Sequence, residues 1–383
     1  MSSSALRRRA LLSGSILAAA AVGYGRRAYG ACTATVAPNY QCSGTTVTTQ
    51  TIGANNGSVS TAAGFSVTAA GAAIRITGDG ALSYTDTNAS PLTATAGIAS
   101  LSVRSTGDYA GTPGSVTIVT NGTLTGRDTG IYARNYGTGS AVITANGNVT
   151  GTTRDGINVQ NFGTDLSVTT AAVSANTSGI NLRNFGTGAM TVTANGDVTS
   201  AVGFGMDARN YGAGAVTVTV NGHVTSAAGY GIYALAHSAI TLTTGTGSAV
   251  TGYSTGIEAA NLGTGAVIVT ANGNVTSGNS GNGIVGYNGT SGTNVSVTTA
   301  AGTTVHSAGY GVFGRNLGSG ALTITVNGDV TSTLTDGIYA RNRGTDLSVT
   351  IGAGATVRGN TDGIYARNYG TGALATPSPP PAP

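Results

Sequence analysis

The sequence predicts an all-β solenoid, and three observations carry that prediction. The first is a repeat. Gly-Ile-Tyr-Ala-Arg-Asn begins at Gly130, Gly337 and Gly363, and degenerate copies begin at Gly156, Gly179, Gly205, Gly231, Gly256, Gly283 and Gly311. Successive copies lie 23 to 28 residues apart, most often 26. A nearly fixed period in the twenties marks one supersecondary unit stacked on the next. The second is alternation inside the unit: Ile338, Ala340 and Asn342 fall on one face, Tyr339 and Arg341 on the other, as in a strand with one buried face. The third is that no helical period runs through the repeats. Together they specify a right-handed parallel β-helix with about 26 residues per coil.

Each coil is expected to hold two or three short strands. In the hexapeptide strand the first inward position is large, from Ile131 through Met206 to Ile364, and the next is mostly small, as at Ala133, Ala208, Ala234, Ala259, Ala340 and Ala366. Large beside small suits a narrow coil. A Gly-rich turn leads to a second strand, such as Leu322-Thr323-Ile324-Thr325-Val326, with aliphatic residues inward and threonines outward. Asn-Gly then signals a turn, at Asn121, Asn146, Asn195, Asn221, Asn272 and Asn327, before a third strand of the Val330-Thr331-Ser332 type. The sixth residue of the hexapeptide is Asn135, Asn161, Asn184, Asn210, Asn261, Asn288, Asn316, Asn342 and Asn368, with Ala236 the exception. Stacked asparagines bond amide to amide and satisfy the backbone of a tight turn, so this column is expected to be a structural ladder.

Along the chain, 1–30 has the form of a secretion signal: Arg7-Arg8-Arg9, an apolar run over 10–22, and a small-x-small site at Ala28-Tyr29-Gly30. Arg8-Arg9-Ala10-Leu11-Leu12 also fits a twin-arginine signal, so Sec and twin-arginine export both stay open. The segment 31–114 is expected to be an N-terminal cap with irregular coils, which an open β-edge requires. Regular repeats occupy 115–374, and 375–383 is a Pro-rich linker or tail. Cys32 and Cys42 open the mature chain. An oxidising compartment permits a disulfide between them, with a lipid-modified Cys32 or a free thiol pair as alternatives.

Charge excludes one class of partner. The whole chain carries a net +4, but five of its 17 cations, all arginine, lie in the signal. The mature chain keeps 12 arginines against 13 carboxylates, a balance of −1, so no nucleic-acid footprint remains. There is no lysine, and Glu258 is the sole glutamate.

The leader, the Thr/Gly/Asn-rich coils with Asn-Gly-Asp-Val-Thr-Ser and Gly-Ile-Tyr-Ala-Arg-Asn-Tyr-Gly-Thr-Gly repeats, and the Pro-rich linker resemble the passenger region of bacterial autotransporters over nearly the whole chain. The resemblance implies a β-helical passenger displayed at the cell surface by a C-terminal outer-membrane β-barrel. The alternating segments of such a barrel run to about ten residues each. They do not fit in the nine residues after Leu374, so a passenger without its barrel is expected. Without a barrel, the exported chain is expected in the periplasm or the medium.

Catalytic and metal motifs are thin. Gly252-Tyr253-Ser254-Thr255-Gly256 matches a nucleophile elbow in letters only, since that motif needs a strand–turn–helix setting. Asn360-Thr361-Asp362 matches one fragment of the polygalacturonase signature, without its other acids and histidine. His223, His237 and His306 have no metal-ligand spacing, and no cofactor motif is present. The candidate ligand surface is the outward stripe of Tyr132, Arg134, Arg183, Arg209, Tyr233, Arg315, Tyr339, Arg341, Tyr365 and Arg367. Tyrosine faces suit sugar rings and arginine suits carboxylates or sulfates, although duplication of ordinary solvated strand residues would give the same stripe. The expectation is a non-catalytic, adhesin-like passenger, secreted or surface-displayed, whose partners would be glycans on a host or neighbouring cell. The alternatives are a β-helical polysaccharide lyase or hydrolase, which would need acids gathered on one groove rather than scattered at turns, or an undisplayed passenger fragment.

Overall fold

Three strands per coil repeat through the computed structural model, which describes residues 30–377. The expected secretion signal, apart from Gly30, and the last six residues of the Pro-rich tail lie outside the described residues. The chain winds into three long sheets of 15, 13 and 13 strands, in which, apart from the N-terminal hairpin, each strand pairs with those one coil before and after it. The result is a parallel β-solenoid of about 13 coils, close to 60 Å long at a spacing of about 4.8 Å per coil. No helix occurs among the described residues.

The register follows the sequence repeat. Ile131 pairs with Ile157, Ile157 with Ile180, and Ile180 with Met206, and the column continues to Ile364. Residues alternate buried and half-buried along these strands, as at Ile157–Asn161 and Ile338–Asn342. Three apolar columns meet in the interior: the isoleucines of the hexapeptide sheet, the Val/Leu/Ile of the threonine-rich sheet such as Val216 and Val218, and the valines of the short sheet such as Val198 and Val224.

The glycines that open the hexapeptides from Gly130 to Gly337 have a packing cause. A Cβ on Gly130 would stand 2.3 Å from Val149 Cγ1, and one on Gly205 would stand 2.4 Å from Val224 Cγ1. The backbone of one coil thus rests on the valine of the next, and only glycine lets them approach so closely.

The asparagine column forms a ladder inside the turn. Asn161 Nδ2 donates to Asn184 Oδ1 at 2.9 Å and to the Thr164 and Asp165 carbonyls at 2.9 and 3.1 Å. Its Oδ1 accepts from Asn135 Nδ2 at 2.9 Å. Rungs also join Asn184 to Asn210, Asn261 to Asn288, Asn316 to Asn342, and Asn342 to Asn368. All of these asparagines but Asn368 are fully buried. At Ala236 the connection to the next strand, Ala236-His237-Ser238-Ala239-Ile240, is two residues shorter than the one from Asn210 to Val216.

The N-terminal end is closed by an antiparallel hairpin, Ala31–Val36 with Asn39–Ser43. Cys32 and Cys42 are opposite partners in it and form a disulfide. The Cys32 N–H donates to Gln50 Oε1 at 2.9 Å, tying hairpin to first coil. From Thr45 onward the same three sheets run without a break in kind, so the blurred repeat over 45–114 still folds into coils of the common pattern.

Candidate functional site

Strand alternation turns every second side chain of the hexapeptide sheet outward, and stacking places these side chains in two columns. One runs Arg75, Ser102, Tyr132, Asn158, Asn181, Asp207, Tyr233, Glu258, Val285, Phe313, Tyr339 and Tyr365. The other runs Arg104, Arg134, Gln160, Arg183, Arg209, Leu235, Ala260, Tyr287, Arg315, Arg341 and Arg367. All ten stripe residues named from the sequence lie on this face. They do not form one continuous strip: Leu235, Ala260 and Val285, each nearly buried, divide it.

The C-terminal cluster holds Arg315, Tyr339, Arg341, Tyr365 and Arg367. Phe313, Tyr339 and Tyr365 stack face to face with centroids 5.2 and 5.1 Å apart. Arg341 donates to the hydroxyls of Tyr339 and Tyr369 at 3.1 and 3.0 Å. Ring faces and guanidinium donors are largely spent on one another here, and Arg315 lies by Tyr287, 5.9 Å from its centroid.

The central cluster gathers Arg183, Arg209 and Tyr233 around a residue not singled out from the sequence. Asp207, 2 % exposed at its side chain, accepts from Arg183 Nη2 at 2.5 Å and from Arg209 Nε at 2.8 Å. Arg209 also lies over the Tyr233 ring at 4.8 Å. Next in the column is Glu258, whose carboxyl is pushed up from its ordinary range by burial. Burial, and then the charge of Glu258, push the phenols of Tyr230 and Tyr233 up as well. The expectation that the acids sit singly at turns is corrected for these two: Asp207 and Glu258 stand in strands, at the outward position that holds tyrosine in other copies.

The N-terminal cluster is a groove. Tyr132 and Arg134 form one end of a hollow of about 470 Å³ whose other charged side chains are Arg75 and Arg104. Thr51, Thr77 and Ser102 give it small hydroxyl-bearing surfaces, and Gly71, Ala72, Gly97 and Ile98 form a turn-built wall. Arg134 lies over the Tyr132 ring at 5.0 Å and donates from Nη1 to the Tyr136 hydroxyl at 3.0 Å. Arg104 lies over the Tyr136 ring at 5.1 Å. Among the described residues none of these three arginines pairs with a carboxylate. Arg75 and Arg104 fall outside the clean hexapeptide copies, which is why the repeat did not point to them. Their alternation, in Ile74-Arg75-Ile76 and Val103-Arg104-Ser105, was the available signal.

A further column stands at the turn after the asparagines. Tyr136, Phe162, Phe185 and Tyr211 stack with centroids 5.0, 4.8 and 5.1 Å apart, each partly exposed. Because each ring covers its neighbour, the ladder shows solvent mainly ring edges. Ser254 of the elbow-like pentapeptide lies in the turn between Ala249–Gly252 and Thr255–Asn261, with a strand and not a helix following. Asp362 sits at the turn before Ile364–Asn368 and donates its backbone N–H to Asp336 Oδ1. Among the described residues no three His, Cys, Asp or Glu side chains gather as metal ligands.

The chain matches no family model, no curated protein and no solved structure in the comparisons made.

Proposed function

We propose that this chain is a non-catalytic binding rod, exported and exposed at the cell surface or released from it, in the manner of an autotransporter passenger. The observation that carries the proposal is the outward face of the hexapeptide sheet. It presents arginine and tyrosine in register along the solenoid, and the side chains brace one another instead of converging on a reacting centre. A stack of coils with nearest-neighbour contacts gives an extended surface at low sequence cost, which suits attachment more than chemistry. A leader-like N-terminus, the disulfide and a lysine-free surface support the extracytoplasmic setting. Antibody against the repeats should label intact producing cells or appear in the medium, and the purified chain should bind to cell-surface material. Confinement of the protein to the cytoplasm would remove the proposal.

The column Asp207, Tyr233, Glu258 supports a second reading, polysaccharide cleavage, because a buried carboxyl and an ion-paired carboxylate two coils apart, with Tyr233 between them, form an acid–base set. Reducing-sugar release from uronate polymers separates the two. The binding-rod reading expects no turnover; sustained turnover abolished by Glu258→Gln would replace it with the enzymatic one.

A further inference from the structure

We infer that the N-terminal groove bounded by Arg75, Arg104, Arg134 and Tyr132 is a binding site for an anionic glycan, one carrying carboxylates or sulfates. The inference rests on the reading of the chain as a binding module and assigns it a site and a ligand class.

Charge is the first argument. Arg104 and Arg134 are direct partners on adjacent parallel strands, and Arg75 lies one coil before Arg104. Like charges placed opposite each other on neighbouring strands repel, and here, among the described residues, no carboxylate forms an ion pair with them. The central cluster solves the same problem with Asp207 between Arg183 and Arg209. The groove leaves that place to an anion from outside.

Positioning is the second. Tyr132 and Tyr136 hold the guanidinium groups by their ring faces and one hydroxyl, which fixes the cations without consuming most of their N–H donors. Arg134 Nε is shielded from solvent and has no hydrogen-bond partner.

The third argument selects a glycan. Among the described residues Tyr132 is stacked on no other aromatic ring, its neighbour across the sheet towards the groove is the small Ser102, and hydroxyl side chains line the hollow. An aromatic ring with adjacent hydroxyls and guanidinium groups suits a pyranose bearing an acidic substituent. Nucleic acid fits poorly. Beyond Arg134 the columns pass to the neutral Asn158 and Gln160 and then to Arg183 and Arg209, whose charges are paired with Asp207, so the unpaired basic surface spans only a few coils.

The test uses the exported, disulfide-bonded chain and four fluorescent probes: a heparin hexasaccharide, a hexagalacturonate, maltohexaose and a single-stranded DNA hexamer. The heparin probe, the galacturonate or both should bind, more weakly as salt rises, with maltohexaose and DNA far weaker. Which anionic probe binds better tells sulfate from carboxylate. Arg104→Gln and Arg75→Gln, both at exposed positions without hydrogen-bond partners, should each lower affinity about tenfold. Arg358→Gln, at an exposed position of the short sheet far from the groove and off the hexapeptide face, should leave it unchanged. Failure of both anionic probes to bind, binding unaffected by the groove substitutions, or DNA binding as tightly as the glycans would each overturn the assignment. Attachment of the same chain to cell-surface material keeps the two ideas apart: attachment that survives the groove substitutions leaves the binding rod and removes the site, and no attachment removes both.

Discussion

Asp86 shows how a single charge is made to fit an apolar coil. It is fully buried, in register with Thr120 of the next coil. Burial opposes its ionisation, but hydrogen bonds from the Thr61 hydroxyl and from the Asn88 and Ser90 N–H groups outweigh that and hold its carboxyl below the ordinary range. The Gly122 N–H adds a contact at 3.0 Å. A carboxyl whose folded value is depressed contributes stability above its unfolded value, near pH 4, and loses it as pH falls through the folded value. Asp86→Asn should therefore cost about 1–3 kcal/mol at neutral pH. The gap between variant and native chain in urea unfolding should close as the solution is acidified below about pH 4. A gap that stays constant with pH would mean that the carboxylate charge is not the source. Asn88 and Ser90 are local partners of Asp86, but Thr61 and Gly122 lie 25 and 36 residues away in sequence, so the sequence shows only part of the set that holds it. The opening glycines are the opposite case. Their recurrence is plain in the sequence, yet its reason, the valine of the following coil, is visible only once the coils are stacked.

At the scale of the element, alternation and period were enough to place the strands, since the inward apolar positions recur in the hexapeptides from Gly130 onward even where Leu235, Ala260 and Val285 bury the outward one. They also hold over 45–114, where the hexapeptide is lost but residues such as Ile74, Ile76, Leu101 and Val103 still alternate inward. The aromatic ladder escaped the sequence reading because its members follow the asparagine, at a turn, and that position varies among Tyr, Phe, His, Leu, Gly and Arg along the chain. Its contribution is cumulative: each stacked pair is worth about 0.5–1.5 kcal/mol, and Phe185 belongs to two pairs. Phe185→Ala should lower unfolding stability by about 1–3 kcal/mol despite the ring's exposure of 45 %. Thr191→Ala, at an exposed position of the neighbouring threonine-rich sheet, provides the comparison. Equal losses for the two would show that the stacked rings add nothing beyond ordinary surface packing.

For the whole molecule, stability is distributed along the axis, because each coil touches only the coils beside it. Protection should then depend on how each end is closed. At the N-terminal end the disulfide-linked hairpin and Gln50 cover the first coil. The last described coil is less enclosed: Ile364 and Ala366 are only half-buried, whereas their counterparts Ile338 and Ala340 are fully buried. Amide exchange should accordingly be slowest in the central coils, fastest over 364–375, and slow at the N-terminal coils while the disulfide is intact. Reduction of Cys32–Cys42 should speed exchange over roughly 45–105 and leave the central coils unchanged, since a coil opened at one end loses contacts only with its neighbour. Faster exchange throughout the chain on reduction would instead mean that the solenoid opens as one cooperative unit. That outcome would bear on binding too: the groove of Arg75, Arg104 and Arg134 occupies those first coils, so under the nearest-neighbour scheme reduction would loosen the groove while the rod that carries it stays folded.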